Sequence, residues 1–507
     1  MTVNSAPPKP PGAGADQAGP VSFGRGTVSR DALIALVYAA MVRLGTLGLS
    51  IAAARRLGTA GAGALGVALQ VVALASLAAT FNLPQGLTQH LSRTSDSGDR
   101  ARLLRDSALL VGSLAVLTSG ALMLAAARLA RDAYGDASLT PVLFACGPLT
   151  AAGAAYLWVE GAYQGLRRFG SLARWGTGVA ATDLVIGAVA SAWGVVPMLL
   201  ARTVLRFTAV GVALVRGLDS LIGAGPNGSP AAQRPPVFGT ARSLLGFAAP
   251  TLAAGAVLLL GNTLLRLQLV RSHDIAAAGH LQAADSIAQA VTLIPLAAAA
   301  AFMPAVAASS GRSDRELAAP VQRAMKQVAG YNLALSLAAI GLAPWVMETI
   351  FGRDFGPARP VFVLLVCAYA TVGPSALFGA WLMGRGRPWT ILVVNSLWAA
   401  TMLLLFQFAL HPWGAVGAAL ASAVAYWLAL ACYALVVAPF HQLPGSSHLP
   451  AILVTLFALG IGAALQLLPG VPLLAAVAGN LILAGLVFAR WGVPSLAASR
   501  WLAGRAR

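Results

Sequence analysis

Charged and Gly/Pro-rich breaks divide this chain into fourteen apolar runs of about twenty residues, the length that crosses a bilayer as a helix. They fall near 32–54, 61–83, 107–127, 139–161, 173–194, 195–215, 243–264, 281–303, 327–347, 360–382, 389–410, 414–438, 449–468 and 471–490. At about 1.5 Å per residue such a run spans roughly 30 Å of hydrocarbon. Strands of a membrane barrel would show about ten residues of strict alternation, and none of the runs does. The pattern therefore predicts an all-α, polytopic membrane protein of about 14 transmembrane helices. Residues 1–30 are rich in Pro, Gly and Ser and lack the apolar stretch of a signal peptide, so they read as a disordered cytoplasmic leader.

Composition agrees: 58% of the 507 residues are hydrophobic and only 10% are charged, well below the roughly 25% charged that a soluble domain carries. The net charge of +18 would suit a nucleic-acid partner only if a soluble domain presented it, and none is in sight, so no nucleic acid is expected. Its distribution is more informative, because short loops rich in Lys and Arg stay cytoplasmic. With the N-terminus inside, 23 of the 34 cations fall in cytoplasmic segments and eight in outer ones. That bias orients both termini toward the cytoplasm, in the cell membrane. Three arginines remain, Arg43, Arg202 and Arg206, all inside predicted helices.

The chain also matches itself. GALGVALQ around Gly63 answers to GHLQAADS around Gly279 at an offset of 216, AYGD at Gly135 to FGRD at Gly352 at 217, and GAYQG at Gly161 to GAWLMG at Gly379 at 218. GVVPMLLA from Gly194 answers to GAVGAALA from Gly414 at 220. A slow drift in chain order is what small loop insertions produce, so the chain reads as two six-helix lobes from an internal repeat plus two C-terminal helices. Six spans is an even number, so the lobes run the same way across the membrane and are related by an axis along its normal, with a cavity between them. The expected division is 31–216 for the N-lobe, 217–240 for a cytoplasmic linker and 241–440 for the C-lobe. Spans 13 and 14 fill 441–490, and 491–507 form a basic cytoplasmic tail.

These landmarks resemble the MOP flippase superfamily, most of all its Wzx-like polysaccharide branch. The motifs are ARRLG at Ala54–Gly58, EGAYQGLRRFG from Glu160, FAAP at Phe247–Pro250, GHLQAAD from Gly279, FGRDF from Phe351 and GAVGAALASA from Gly414. The resemblance covers about residues 30–440. It implies a V-shaped pair of lobes that turns a lipid-linked oligosaccharide on an undecaprenyl-diphosphate carrier between leaflets by alternating access. Implied partners are that glycan, the bilayer, and polysaccharide polymerases and glycosyltransferases of the same pathway. Two departures bear on the alternatives. Lipid II flippases resemble this layout but carry diphosphate-binding arginines in their first two spans; here Arg43 fits one, while Leu49 stands where another is expected and 61–83 holds no cation. Cation-coupled multidrug exporters place a carboxylate in the first or seventh span, and neither 32–54 nor 243–264 has one.

A charge in mid-bilayer costs about 3 kcal/mol on insertion scales and should face a bundle interior or a wet cavity. Arg43 reads either as a structural hydrogen-bond donor to a neighbouring helix or as a cavity cation for a diphosphate, which a guanidinium grips with two parallel hydrogen bonds. Asp183 is expected to pair with Arg206 across a hairpin near Gly194–Pro197, leaving Arg202 freer for substrate; a proton-relay role for Asp183 is the alternative. Asp285 is either a solvated helix end near the outer mouth or part of the cavity. Arg266 and Arg271 are expected to snorkel to the interface. Arg55 and Arg56 end the first span, where snorkelling competes with gating or headgroup contact. Arg43, Arg202, Arg206, Arg55 and Arg266 are thus the candidate substrate-binding residues, and Asp183 and Asp285 the candidates for ion pairing or coupling.

No catalytic constellation, cofactor or metal site is expected. There is no GxxxxGK[ST] phosphate loop, and His90, His273, His280, His411, His441 and His448 are scattered. Cys146, Cys367 and Cys432 stand singly in apolar runs and read as small buried hydrophobes. A glycan polymerase or glycosyltransferase would need large outer loops, and the predicted ones are short. Trp158, Trp193, Trp345, Trp389 and Trp413 lie near span ends, where an aromatic belt is expected and stacking on a sugar is the alternative.

Overall fold

In the computed structural model, residues 25–93, 97–166, 168–215, 237–296, 298–299, 302, 314–385, 387–437, 449–467 and 472–487 are described. Most of the expected leader, most of the 217–240 linker, the end of the eighth run, the basic tail, His441 and His448 lie outside them. Among the described residues every element is helical. The chain runs α1 (Arg25–Thr80), α2 (Leu83–Arg93), α3 (Ser97–Arg128), α4 (Thr140–Gly165), α5 (Phe169–Ala190), α6 (Val195–Ala213), α7 (Val237–Ser272) and α8 (Ile275–Ala288). It continues with α9 (Asp314–Val346), α10 (Arg359–Tyr369), α11 (Val372–Gly384), α12 (Pro388–Leu405), α13 (Gly414–Val437), α14 (Leu449–Leu467) and α15 (Leu473–Val487).

Each of the fourteen apolar runs falls on one or two of these helices. The first two share α1, which is broken at Gly58 (φ 67°, ψ −165°), a left-handed conformation open to glycine. Leu47 and Leu69, eleven residues either side of Gly58, line the same cavity, so α1 is a hairpin of two spans. The tenth run is two helices, α10 and α11. Pro374 lacks an N–H and its ring would meet the carbonyl of Ala370, four residues earlier, so the helix cannot continue through it. Fully buried Asn332 on α9 takes up the freed acceptors, donating to Tyr369 O at 3.0 Å and Ala370 O at 2.8 Å. In the eighth run Pro295 acts likewise, and the α-helix tightens to a 3₁₀ turn at Gln289–Thr292. That span also begins earlier than its hydropathy suggests, at Ile275, because the Asp274 carboxylate accepts from Ala277 N at 2.6 Å and caps it.

The repeat is written into the backbone. Gly135 and Gly352 both have positive φ, and each sits between a π-helical turn (Leu129–Ala133, Met347–Phe351) and a 3₁₀ turn (Ala137–Leu139, Arg353–Ala358). Gly194 and Gly414, again with positive φ, follow the 3₁₀ turns Ser191–Trp193 and His411–Trp413. Arg168 N donates to Tyr163 O at 2.9 Å as Arg387 N donates to Leu382 O at 2.8 Å, an offset of 219 at both ends. Gly58 itself corresponds to Asp274, where the other half turns.

The two halves meet where Gly63 crosses Gly279. A Cβ on Gly63 would lie 1.9 Å from Ile275 O, and one on Gly279 would lie 1.9 Å from Thr59 O. Thr59 and Ile275 are themselves 216 apart, so the contact is reciprocal, the mark of a two-fold relation between the surfaces that meet. Two buried apolar clusters draw only on residues between Tyr38 and Ala213; a third is built mainly from residues after Leu265 and reaches across to Ala54, Ala62 and Val67. The last two helices are hooked onto the second half. Arg359 donates to Gln466 Oε1 at 2.7 Å, and Gln466 Nε2 to Gly341 O at 3.3 Å. α15 has 15 residues, about 22 Å at a helical rise, so its described part is shorter than a full crossing.

Candidate functional site

A cavity of about 220 Å³ lies between the halves, walled by both arms of α1 and by α8 with the 3₁₀ turn after it. Its polar lining is Arg43, Thr46, Gln70, Gln282, Asp285, Ser286 and Gln289; Leu44, Leu47, Leu69 and Leu293 supply an apolar flank. Four or so residues separate most of the polar positions on each helix, which puts them on one face.

Arg43 is exposed in the cavity, and its Nη1 donates to Gln289 Oε1 across the halves at 2.6 Å. The Gln289 amide then donates to Asp285 Oδ2 at 3.1 Å. The same oxygen accepts from Arg266 Nη2 at 2.9 Å, and the Tyr369 hydroxyl donates to Asp285 Oδ1. Asp285 is thus a fully engaged wall group, 8% exposed, rather than a solvated helix end. Arg266 does not snorkel: only 4% exposed, it turns inward to Asp285. The apolar run stops at 264, but α7 continues as helix to Ser272, so Arg266 is an interior residue whose charge is neutralised by its partner.

The N-terminal half holds a second ion pair, between a buried arginine and a half-buried aspartate, and its partners differ from expectation. Asp183 pairs with Arg202, through Nε and Nη2, each at 2.8 Å. Arg206 instead lies over the Tyr156 ring, 5.9 Å from its centroid, within range of a cation–π contact. The hairpin turns at Ser191–Gly194, earlier than Gly194–Pro197. Asp183 is eight residues before the turn and Arg202 eight after it, so those two are level, and Arg206 lies one helical turn deeper. Tyr156 also shares a 3.1 Å hydrogen bond with Tyr38. Arg202, 3% exposed, is therefore committed to Asp183.

Arg55 stands outside the cavity. At the Gly58 end of its span it donates from Nε to Ile350 O at 2.7 Å and from Nη2 to Thr349 O, tying the first half to the π-helical turn after α9. Of the tryptophans, Trp193, Trp345, Trp389 and Trp413 are exposed at helix ends, as an aromatic belt requires. Trp158 departs from that pattern: it is buried, with its indole donating to Ser107 Oγ at 2.9 Å. Among the described residues, no three His, Cys, Asp or Glu side chains gather in a metal-holding group.

The cavity's amides, Gln70, Gln282 and Gln289, and the wall hydroxyl of Tyr369 escape a scan for buried charge. The signal was present as glutamines inside apolar runs, where an amide must find partners just as a charge must.

No protein-family model matches the chain, and no curated protein matches it in sequence. Solved structures match its fold. It superposes on the lipid II flippase MurJ in an inward closed conformation with a TM-score of 0.65 and 11% identity, covering 92% of this chain and 99% of that one. An inward-facing multidrug resistance MATE family transporter of the MOP superfamily gives 0.62 and 16% identity, covering 81% and 99%. The Vibrio cholerae MATE transporter VcmN, solved as a point mutant, gives 0.56 and 14% identity, covering 82% and 98%. The chain shares its fold with these flippase and transporter structures. In that frame the chain is a multi-pass membrane protein, and its cavity occupies the cleft between the two halves.

Proposed function

We propose that the protein carries a polyprenyl-diphosphate-linked oligosaccharide across the cytoplasmic membrane by alternating access, serving polysaccharide synthesis or export. The observation that carries this reading is the cavity's composition. One exposed guanidinium, Arg43, faces it beside three amides and two hydroxyls, with leucines on the flank. A phosphoryl group suits the guanidinium, sugar hydroxyls suit the amides, and a polyprenyl chain suits leucines and the lipid beyond. Arginine placement in the sequence supports cytoplasmic termini, so the Gly58 end, where Arg55 and the Gly63–Gly279 crossing bring the halves together, is assigned to the outer face. The division into lobes at 31–216 and 241–440, joined by 217–240, belongs to the same proposal.

Two other cargoes fit less well. A cationic drug would need an unpaired carboxylate, and Asp285 is held by Arg266, Tyr369 and Gln289. For lipid II, the position six residues before Arg55 is Leu49, 1% exposed within an apolar cluster, where no cation can reach cargo. Deletion of the gene should make lipid-linked repeat units accumulate on the cytoplasmic side, and restoring the wild-type chain should clear them. Unchanged pools of such lipids after deletion would sink the proposal.

A further inference from the structure

The single hydrogen bond from Arg43 to Gln289 joins the halves at a mechanically special place. Arg43 is fifteen residues before Gly58 and Gln289 fifteen after Asp274, so the bond lies well along both arms from the Gly63–Gly279 crossing, at about 22 Å from the turns by helical rise. Gln289 is also the residue at which α8 gives way to its 3₁₀ turn, ahead of Pro295. Such a mid-span 3₁₀ segment commonly marks a hinge. The Pro295 ring packs beside Gly373, 3.0 Å from where a Cβ would stand there, and Asn332 Nδ2 lies 3.2 Å from the same point. The breaks in the eighth and tenth spans are therefore in contact with each other. Tyr369, the last residue of α10, closes the circuit through its bond to Asp285, which Gln289 also holds.

The repeat sharpens this. The position matching Gln289 in the first half is Ala73, inside the uninterrupted second arm of α1, so the hinge and the polar group that reports on it belong to one half alone. Gln289 has no freedom to turn: its carbonyl faces Arg43 and its amide faces Asp285. A neutral amide is a weaker acceptor for a guanidinium than a phosphoryl oxygen, which binds with charge assistance and two parallel bonds. A phosphoryl anion entering the cavity thus takes Arg43 from Gln289.

We infer that Arg43–Gln289 is a clasp between the halves that the cargo's diphosphate displaces, so that loading the cavity releases the paired hinge of the eighth and tenth spans. This rests on the diphosphate-lipid reading above and adds how the site reports its occupancy to the fold.

The test places spin labels on exposed Gln85 of α2 and exposed Trp389 of α12, both at the end away from Gly58, in the full-length protein in nanodiscs. Adding inorganic pyrophosphate, or undecaprenyl diphosphate in the disc, should shift the wild-type distance distribution to longer values. Gln289→Leu should adopt that longer distribution with nothing added. Arg43→Met should do so too, and should lose the response to both probes. Wild-type distributions in both variants, or a wild-type chain that does not respond to pyrophosphate, overturn the clasp. If phosphatidylglycerol shifts the wild type as fully as undecaprenyl diphosphate does, the clasp stands and the assignment of a diphosphate-lipid cargo fails. Because the two variants break one bond from opposite sides, misfolding of either leaves the other to decide.

Discussion

At the scale of single residues, the buried cations divide by partner. Arg202 and Arg266 are each matched to an aspartate on a neighbouring helix, and each keeps its Nη1 without a hydrogen-bond partner among the described residues. Removing one member of such a pair strands the other charge, which typically costs about 3–5 kcal/mol, whereas replacing both is close to neutral. Asp183→Asn should therefore lower the unfolding temperature in detergent markedly, and Asp183→Asn with Arg202→Met should recover most of the loss; equal losses would show that the pair carries no such coupling. Arg43 differs in being exposed and, among the described residues, bonded to a neutral amide, so Arg43→Ala should leave that temperature nearly unchanged. Sequence located all of these residues. It missed the pairing of Asp183 because a register of three residues in a turn decides which arginine is level with it, and hydropathy does not resolve a turn that finely.

At the scale of elements, each apolar run coincides with helix among the described residues, because the bilayer demands an apolar run wherever a helix crosses. Hydropathy was blind to what happens inside a run. The break between α10 and α11 depends on Pro374 and on Asn332, 37 residues or more away in sequence from the carbonyls it satisfies. Asn332→Leu leaves those buried carbonyls without their donor, at about 1–3 kcal/mol each, and thermal unfolding should register it; Asn332→Ser should be milder. Helix ends were also misjudged where polar residues continue a helix past its apolar run, as α7 does to Ser272, which is why Arg266 read as an interfacial residue.

At the scale of the whole molecule, the repeat was legible in spaced glycines because those positions are constrained by backbone geometry: positive φ at Gly135, Gly194, Gly352 and Gly414, and direct helix contact at Gly63 and Gly279. A side chain at that crossing must push the arms apart, and overpacking of this kind costs about 1–3 kcal/mol. Gly63→Val, which meets the Ile275 carbonyl, should weaken the closure at the Gly58 end, and with that end outside, as proposed, a cysteine-reactive probe applied from outside to a Thr46→Cys reporter should then label it faster than in the parent. What spacing could not reveal is the cavity's chemistry, since its amides and its cation come from both arms of α1 and from α8 and converge only in three dimensions. Transport as proposed depends on Arg43 serving a phosphate there. Its most direct test is the rate at which purified protein in proteoliposomes moves an undecaprenyl-diphosphate-linked oligosaccharide from one leaflet to the other. Loss of a charge-assisted contact is worth about 1.5–3 kcal/mol, so Arg43→Ala should slow flipping by about tenfold to a hundredfold relative to wild type, with Arg43→Lys between them. Equal rates for wild type and Arg43→Ala, with both folded and well above protein-free vesicles, would contradict it.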